Sequence, residues 1–387
     1  MYFVIKLSKL CNLRCTYCYE YEELANKERM SLQQLEYFFS NVADYLLNHP
    51  SPKIPEFVFH GGEPLLLPHQ YFRDICSLQE KYLDRVGINY RNSLQTNLFK
   101  ISDSTLDLLQ ELNISLGVSF DVFGKQRVDI KGKDSQESVI PNLQRLIDRK
   151  INFGIITVLH AENIDYVLNT YQFCNDLRIS YRILPISSVV EPPARMKHLM
   201  LSNEQILEAY KAVAKVQLHH PTSIQVYPLL DFFLAAVRYL TGQTIRQFQP
   251  EKEEWVLLIN VNGDVYNRGE AYLPEGYMGN LFNQKLEELL NSPEHQETVA
   301  IREKRMETCR RCQFDQKCHQ IHIAEATDSA RVYNNQGQLE CTIAKPMIEF
   351  MIDEIQKSPE AQELLNMYYS YSQESASQSE ASINLSL

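Results

Sequence analysis

No apolar run in this sequence approaches the ~18 residues needed to span a bilayer, and the opening MYFVIKL is too short for the apolar region of a signal peptide with its flanks. A membrane or exported protein is not expected; a soluble, cytoplasmic one is. Positive charge is also scarce. Lys and Arg number 38 against 49 Asp and Glu, a formal charge of −11, and no basic stripe locally reverses that balance, so nucleic acid is not an expected partner. Cysteine is missing over one long interval, between Cys174 and Cys309, although the chain holds nine. The cytosol keeps thiols reduced, so clustered cysteines there point to metal rather than to disulfides.

Seven of the nine cysteines fall in two clusters. Cys11, Cys15 and Cys18 are spaced C-x3-C-x2-C within KLSKLCNLRCTYCYEYEEL, and Cys309, Cys312, Cys318 and Cys341 lie in CRRCQFDQKCHQIH and GQLECTIAKP. A structural zinc is closed by four ligands, and the first cluster offers three. Three thiolates suit a four-iron cubane with one iron left open, where a small molecule can bind and receive an electron. Four thiolates close a cubane and suit electron transfer, with a zinc knuckle as the alternative for that second cluster. Cys76 and Cys174 stand alone in helical patterns and read as small buried hydrophobes.

Between the clusters, strand-like and helix-like segments alternate. YFVIKLS, EFVFH, SLQTN, LGVSFD, FGIITVL and YRILPI read as strands. Helical patterns follow near 70–85, 102–112, 136–149 and 163–177, and Ser31 with Gln34 forms a capping-box signature before a helix striped by Leu35, Phe38, Phe39, Val42 and Leu46. About six β-α units imply a parallel sheet curling toward a barrel, with chemistry at the C-terminal strand ends. The cysteine loop, HGGEP at 60–64, QTN at 95–97 and SFD at 119–121 each follow a strand, so they are expected at one rim. Tyr17 is suited to pack on a planar ring. Gly61 and Gly62 let the backbone approach a ligand, and Glu63 can hold an ammonium group. Together these describe a site for a zwitterionic amino acid joined to a nucleoside.

The C-x3-C-x2-C loop, the Gly61-Gly62-Glu63-Pro64 motif and the Ser119/Asp121 strand end, in this order over roughly residues 1–200, resemble the radical S-adenosylmethionine (SAM) superfamily. The resemblance implies a partial (β/α)6 TIM-like barrel whose [4Fe-4S] cluster, with its open site, cleaves SAM to a 5′-deoxyadenosyl radical that abstracts hydrogen from a substrate. It also implies that Glu63 holds the methionine ammonium, that Ser119 and Gln95 lie near the ribose or carboxylate, that Tyr17 contacts adenine, and that Pro64 and Asn97 belong to the same site. An electron donor such as flavodoxin or ferredoxin is implied as well. The C-terminal cysteines look like part of a SPASM domain. The usual pattern has a further cysteine where His322 stands, and the hairpin LLINVNGDVYNRGEAYLPEGYMGNL carries none, so one auxiliary [4Fe-4S] cluster is expected; His319 and His322 read as neighbours of the cluster or surface groups rather than ligands.

Longer segments, including SFDVFGKQRVDIKG, are similar to the cyclophane-forming peptide maturases of the glycine-rich-repeat (GrrM) type. That resemblance implies a ribosomally made precursor peptide and a crosslink from an aromatic ring to the β-carbon of a residue two positions on. After radical addition, one electron and one proton must leave. The closed cluster is the candidate electron acceptor; Glu270 and Asp121 are the candidate bases. A thioether-forming or formylglycine-generating enzyme of the same architecture is the alternative, and a non-catalytic iron-sulfur or zinc-binding protein is the second.

The expected organisation is a barrel at 1–200, a helical bridge at 201–255, the auxiliary-cluster domain at 256–350, a helix at 351–367 and a disordered Ser-rich tail at 368–387. No leader-recognition domain is expected before the barrel, so leader recognition is expected from the barrel, from 185–260 or from a separate protein. The apolar LLDFFLAAVRYLTG within that region reads as helix core.

Overall fold

Continuous apolar strands need cover on both faces, and the helices between them provide it. The computed structural model describes residues 1–377 except 52, 187–191, 247, 251–255, 268–271, 273 and 327–330. Along the chain run β1 (Tyr2–Ser8), α1 (Leu32–Asn48), β2 (Glu56–Gly61), α2 (His69–Tyr82), β3 (Arg91–Thr96), α3 (Asp103–Glu111), β4 (Ser115–Ser119), α4 (Gln136–Asp148), β5 (Phe153–Leu159), α5 (Val167–Asp176), β6 (Tyr181–Pro185) and α6 (Asn203–His219). These are the six expected β-α units. There follow β7 (Val226–Tyr227), α7 (Leu229–Thr241), β8 (Val256–Ile259), β9 (Asp264–Tyr266), β10 (Tyr277–Asn280), α8 (Leu286–Leu290), α9 (Pro293–Met306), α10 (Ile321–Ala324), α11 (Ala344–Lys357) and α12 (Pro359–Ser377).

Residues 1–121, 125–154 and 254–300 form one compact unit, and residues 122–124, 155–253 and 301–387 another. In the first, β1, β2, β3 and β4 pair in parallel in that order. The Ser31 hydroxyl and Gln34 side chain cap α1 reciprocally, as the sequence predicts. Its Phe38 meets Phe3 and Phe57, which stack on each other at 5.4 Å between ring centres. Each such buried ring contributes roughly 1.5–3 kcal/mol.

The hairpin at 257–281 extends the sheet of the first unit: β8 lies parallel beside β1, from Tyr2 opposite Val256 to Ile5 opposite Ile259, with β9 and β10 continuing antiparallel. Leu257, Leu258 and Ile259 are buried in succession. A free two-stranded hairpin could not cover such a run, whereas a place beside β1 does.

In the second unit β5, β6 and β7 are parallel, and α11 packs against α6, α7 and α12. Helix α7 buries Leu229, Phe232, Phe233, Ala235, Ala236 and Val237, so LLDFFLAAVRYLTG is core as expected. The expected disordered tail is corrected over its first part: α12 continues to Ser377. Leu, Met, Glu and Gln carry the helix without Gly or Pro to end it, and the Tyr368 ring packs on Phe233 at 5.3 Å. Residues 378–387 lie outside the described residues. Among the described residues no helix is long and apolar enough to cross a membrane.

Candidate active site and metal centres

The cysteine loop leaves the end of β1 and is fastened to the end of β2. Gly62 N–H donates to the Ser8 carbonyl at 2.9 Å and Glu63 N–H to the Leu10 carbonyl at 2.8 Å. These contacts account for the two glycines differently from the sequence reading. A Cβ on Gly61 would stand 2.2 Å from the Ser8 carbonyl oxygen, and one on Gly62 2.3 to 2.5 Å from backbone atoms of Lys9 and Leu10. The close approach is therefore to the cysteine loop's own backbone. Gly61, with φ +154°, is also in a conformation that side chains rarely adopt. A Gly62→Ala variant is expected to lose the N-terminal cluster while keeping the C-terminal one, read as a fall from about eight to about four irons per chain.

Glu63 is 2% exposed, and burial pushes its carboxyl upward. Its Oε1 accepts from Leu65 N–H at 3.0 Å and from the Thr96 hydroxyl at 2.9 Å; its Oε2 accepts from Asn97 N–H at 2.7 Å. A carboxylate has about four acceptor sites, so one remains on Oε2. The Leu65 contact caps the short turn Pro64–Leu66, which Pro64 opens with its preset φ. Asn97 links this carboxylate to the cysteines, since its Nδ2 donates to Asn12 Oδ1 at 2.8 Å and faces Cys11 Sγ at 3.6 Å. On the neighbouring strands Gln95 Nε2 donates to the Ser119 hydroxyl at 2.6 Å, its side chain crossing Gly117, where a Cβ would clash. Tyr17, expected to meet a nucleobase, has its hydroxyl tied to Asp121 and accepts from Arg127 Nη1 at 2.9 Å. Asp121 is buried in this set. Glu270, the other candidate base, lies outside the described residues.

A second polar network flanks Cys18, and the sequence reading missed it. Lys6, 1% exposed on β1, directs its ammonium at the Tyr19 hydroxyl, at Glu20 Oε1 at 3.3 Å and at His60 Nδ1 at 3.3 Å. Burial alone would lower the Lys6 pKa; Tyr19 and Glu20 reverse this and raise it. Burial, with Lys6 beside it, pushes His60 down to about 3, so its imidazole is neutral, and Nδ1, which also accepts from Gly61 N–H at 2.7 Å, is the bare nitrogen. The Tyr272 hydroxyl donates to Glu20 Oε1. One signal was available: a lone lysine inside the apolar run FVIKL must find partners once buried. Glu20, within the acidic YEYEE, gave none.

In the second unit Cys309, Cys312, Cys318 and Cys341 line a cavity of ≈ 470 Å³ together with Phe314, His322 and others. Burial raises Cys309 to about 12 and Cys341 to about 11; in the first loop burial raises Cys11 to about 11 and Cys18 to about 12. Without metal these thiols hold their protons, which a bound metal displaces. Both sites show one local pattern that suits bridged metal thiolates. The N–H two residues on faces the sulfur at Cys11 (Leu13), Cys18 (Glu20), Cys312 (Phe314) and Cys318 (Gln320), and Lys345 N–H faces Cys341 at 3.3 Å. Such N–H groups compensate sulfur charge and tune cluster potentials. A single zinc, about 2.3 Å from each sulfur, needs ligands closing on one point. The cavity lined by Cys309, Cys312, Cys318 and Cys341 has room for a multi-atom cluster. His322 packs on Phe232 at 4.8 Å, and burial lowers it to about 4. His319 is exposed.

Comparison with known proteins agrees with these centres. Residues 5–174 match the Radical SAM superfamily, and residues 252–313 match SPASM, an iron-sulfur cluster-binding domain. Cys318 and Cys341 lie beyond that second match. A serine-type anaerobic sulfatase-maturating enzyme of Bacteroides thetaiotaomicron is 25% identical over 349 residues, 82% of this chain and 81% of that one. A cysteine-type anaerobic sulfatase-maturating enzyme of Clostridium novyi is 28% identical over 48% of this chain and 50% of that one. Among solved structures, "Native anSMEcpe with bound AdoMet and Cp18Cys peptide" superposes with a TM-score of 0.73 at 20% identity, covering 95% of this chain and 99% of that one. Streptococcus suis SuiB bound to precursor peptide SuiA gives 0.56 at 17% identity, over 82% and 70%. These likenesses show the fold, a mostly parallel α/β architecture with a cluster-binding extension. The cofactors follow from the two domains: SAM, an open-site [4Fe-4S] cluster and auxiliary iron-sulfur binding.

Proposed function

We propose, on the premise that the chain carries a radical SAM domain followed by a SPASM domain, that it modifies a peptide or protein by oxidising a serine or cysteine side chain to formylglycine. The observation that carries this reading is the match to a sulfatase-maturating enzyme over 82% of this chain and 81% of that enzyme's length. It displaces the cyclophane reading from first place.

When bound, SAM at the open-site cluster supplies the 5′-deoxyadenosyl radical that takes one hydrogen atom, and the auxiliary cluster supplies an acceptor for one electron. Cys11, Cys15 and Cys18 hold the first cluster. The remaining acceptor site on Glu63 takes the SAM ammonium, with Thr96, Asn97 and Leu65 fixing the carboxylate. Asp121 and Arg127 fix the Tyr17 ring beside this site. Oxidation of a serine CH2OH to CHO removes two hydrogens: one leaves as an atom, the other as a proton and an electron. Glu270 is the carboxylate proposed to take that proton, directly or through one water. For cysteine the thioaldehyde then reacts with water and releases sulfide.

The test is product analysis. Enzyme with SAM and a strong reductant is given a synthetic sulfatase peptide bearing serine or cysteine at the modified position, and a second peptide with an aromatic residue two positions before an unbranched one. Only the first should yield an aldehyde that a hydrazide captures. The cyclophane reading rests on the SFDVFGKQRVD segment; it predicts two hydrogens lost from the second peptide, no hydrazide reaction and no fragmentation inside the three-residue ring. That result would replace our reading with it.

A further inference from the structure

We propose that Glu20 binds the substrate peptide: its free carboxylate oxygen takes a hydrogen bond from a donor group of the peptide beside the N-terminal cluster. This rests on the peptide-modifying reading above. Glu20 is 5% exposed, and its neighbours are distributed unevenly between its two oxygens. Lys6 and Tyr272 both address Oε1. Oε2 is buried and has no partner among the described residues. A buried carboxylate oxygen left empty in this way is uncommon and calls for a ligand or a water.

The surroundings favour a ligand. All three Lys6 N–H groups are engaged, by Tyr19, Glu20 and His60, and the Tyr272 hydroxyl proton is spent on Oε1. A buried water typically needs about three polar partners, and neither Lys6 nor Tyr272, the two groups that reach Glu20, has a proton left to give one. The network instead fixes the direction of the carboxylate. Lys6 comes from β1, His60 from the end of β2 and Tyr272 from the segment between β9 and β10, so three separate parts of the first unit orient one side chain. Glu20 also lies close to the reacting centre, because its own N–H faces Cys18 sulfur. The SAM ammonium has its own carboxylate in Glu63, which is linked through Asn97 to Cys11. Glu20 flanks a different cysteine, and the donor it accepts comes from the second substrate. That donor is an N–H, O–H or S–H of the peptide. Tyr19, 48% exposed and edge-on to Tyr272 at 6.3 Å, adds an aromatic surface next to it.

The experiment compares wild type with Glu20→Gln and Glu20→Ala, each reconstituted and loaded with SAM. Glu20→Gln keeps size and an oxygen for Lys6 but presents N–H where Oε2 stood, so it is the variant that should fold unchanged; circular dichroism, iron content and the spectrum of the reduced SAM-bound cluster check this. The probe is the serine-bearing sulfatase peptide carrying a fluorophore, with Kd read by anisotropy whether or not the peptide is converted. The yield of modified peptide per 5′-deoxyadenosine is read in parallel. Both variants are expected to weaken peptide binding about tenfold to a hundredfold, as loss of a hydrogen bond to a charged group does, and to lower that yield, with SAM binding unchanged. Wild-type Kd and yield in a folded Glu20→Gln variant would overturn the inference and leave Oε2 to water, with the formylglycine reading intact. Binding that depends on Glu20 without conversion to an aldehyde would sustain the inference and overturn the reading. No binding of the peptide to wild type would overturn both.

Discussion

A Cys15→Ala variant is expected to form no 5′-deoxyadenosine from SAM under anaerobic reducing conditions. Cys15 is the buried middle cysteine of its loop, and its carbonyl accepts Cys18 N–H at 3.0 Å, so it sits at the turn that brings the thiols together. Two remaining thiolates hold a cubane poorly. The loop backbone should survive, since Thr16 N–H bonds to Gln126 and Arg14 N–H to Val128 whatever stands at position 15. Iron analysis makes the result specific. Wild type should carry about eight irons, four per cubane, and the variant about four. The expectation of a single auxiliary cluster is exposed to the same measurement, because a wild-type content near twelve would mean that His322 and the cysteine-free hairpin support a third. Cleavage of SAM at the wild-type rate by Cys15→Ala would remove the radical chemistry from this loop altogether.

What the sequence made legible here was local, and what it concealed depended on packing across the chain. Metal thiolates lie close together in sequence, so C-x3-C-x2-C and the 309–318 run show themselves directly. The β-α alternation is equally direct, because buried parallel strands are apolar throughout. The capping box at Ser31 and Gln34 needs only three residues of separation. The partners that give Glu63, Tyr17 and Glu20 their setting stand 34, 104 and 252 positions away, and no periodicity reports such pairings. The glycines of GGEP show the same limit. Their demand for close approach was readable, but the neighbour was the backbone of residues 8–10, brought there by β1 pairing with β2. The hairpin was legible only through the likeness to a SPASM domain, while its position beside β1 depended on Val256 to Ile259 finding a parallel edge.

Loss of one C-terminal cysteine should separate SAM cleavage from product formation. Cys341→Ala should remove the auxiliary cluster, leave about four irons on the first loop, and allow 5′-deoxyadenosine to form while abolishing modified peptide. The SAM site proposed above draws on residues of the first unit, whereas Cys309, Cys312, Cys318 and Cys341 belong to the second. The competing account is that the cluster is only a staple, since small metal-dependent regions unfold when their ligands are removed. Several contacts argue that this region keeps its shape: Cys309, Ile323 and Leu339 form a buried apolar group, the Thr308 hydroxyl donates to the Leu339 carbonyl at 2.7 Å, and Asn203 donates to the Thr342 hydroxyl at 2.9 Å. Helix α11, which begins three residues after Cys341, is anchored by Met347, Ile348 and Met351 rather than by metal. A soluble variant with native circular dichroism, ordinary SAM cleavage and no product is therefore the expected result, and it assigns the cluster to removal of the electron. Loss of solubility together with both activities would make the cluster a staple. Modified peptide at the normal rate from a folded Cys341→Ala protein would sink the electron-transfer role, because the second oxidising equivalent would then be leaving by another route.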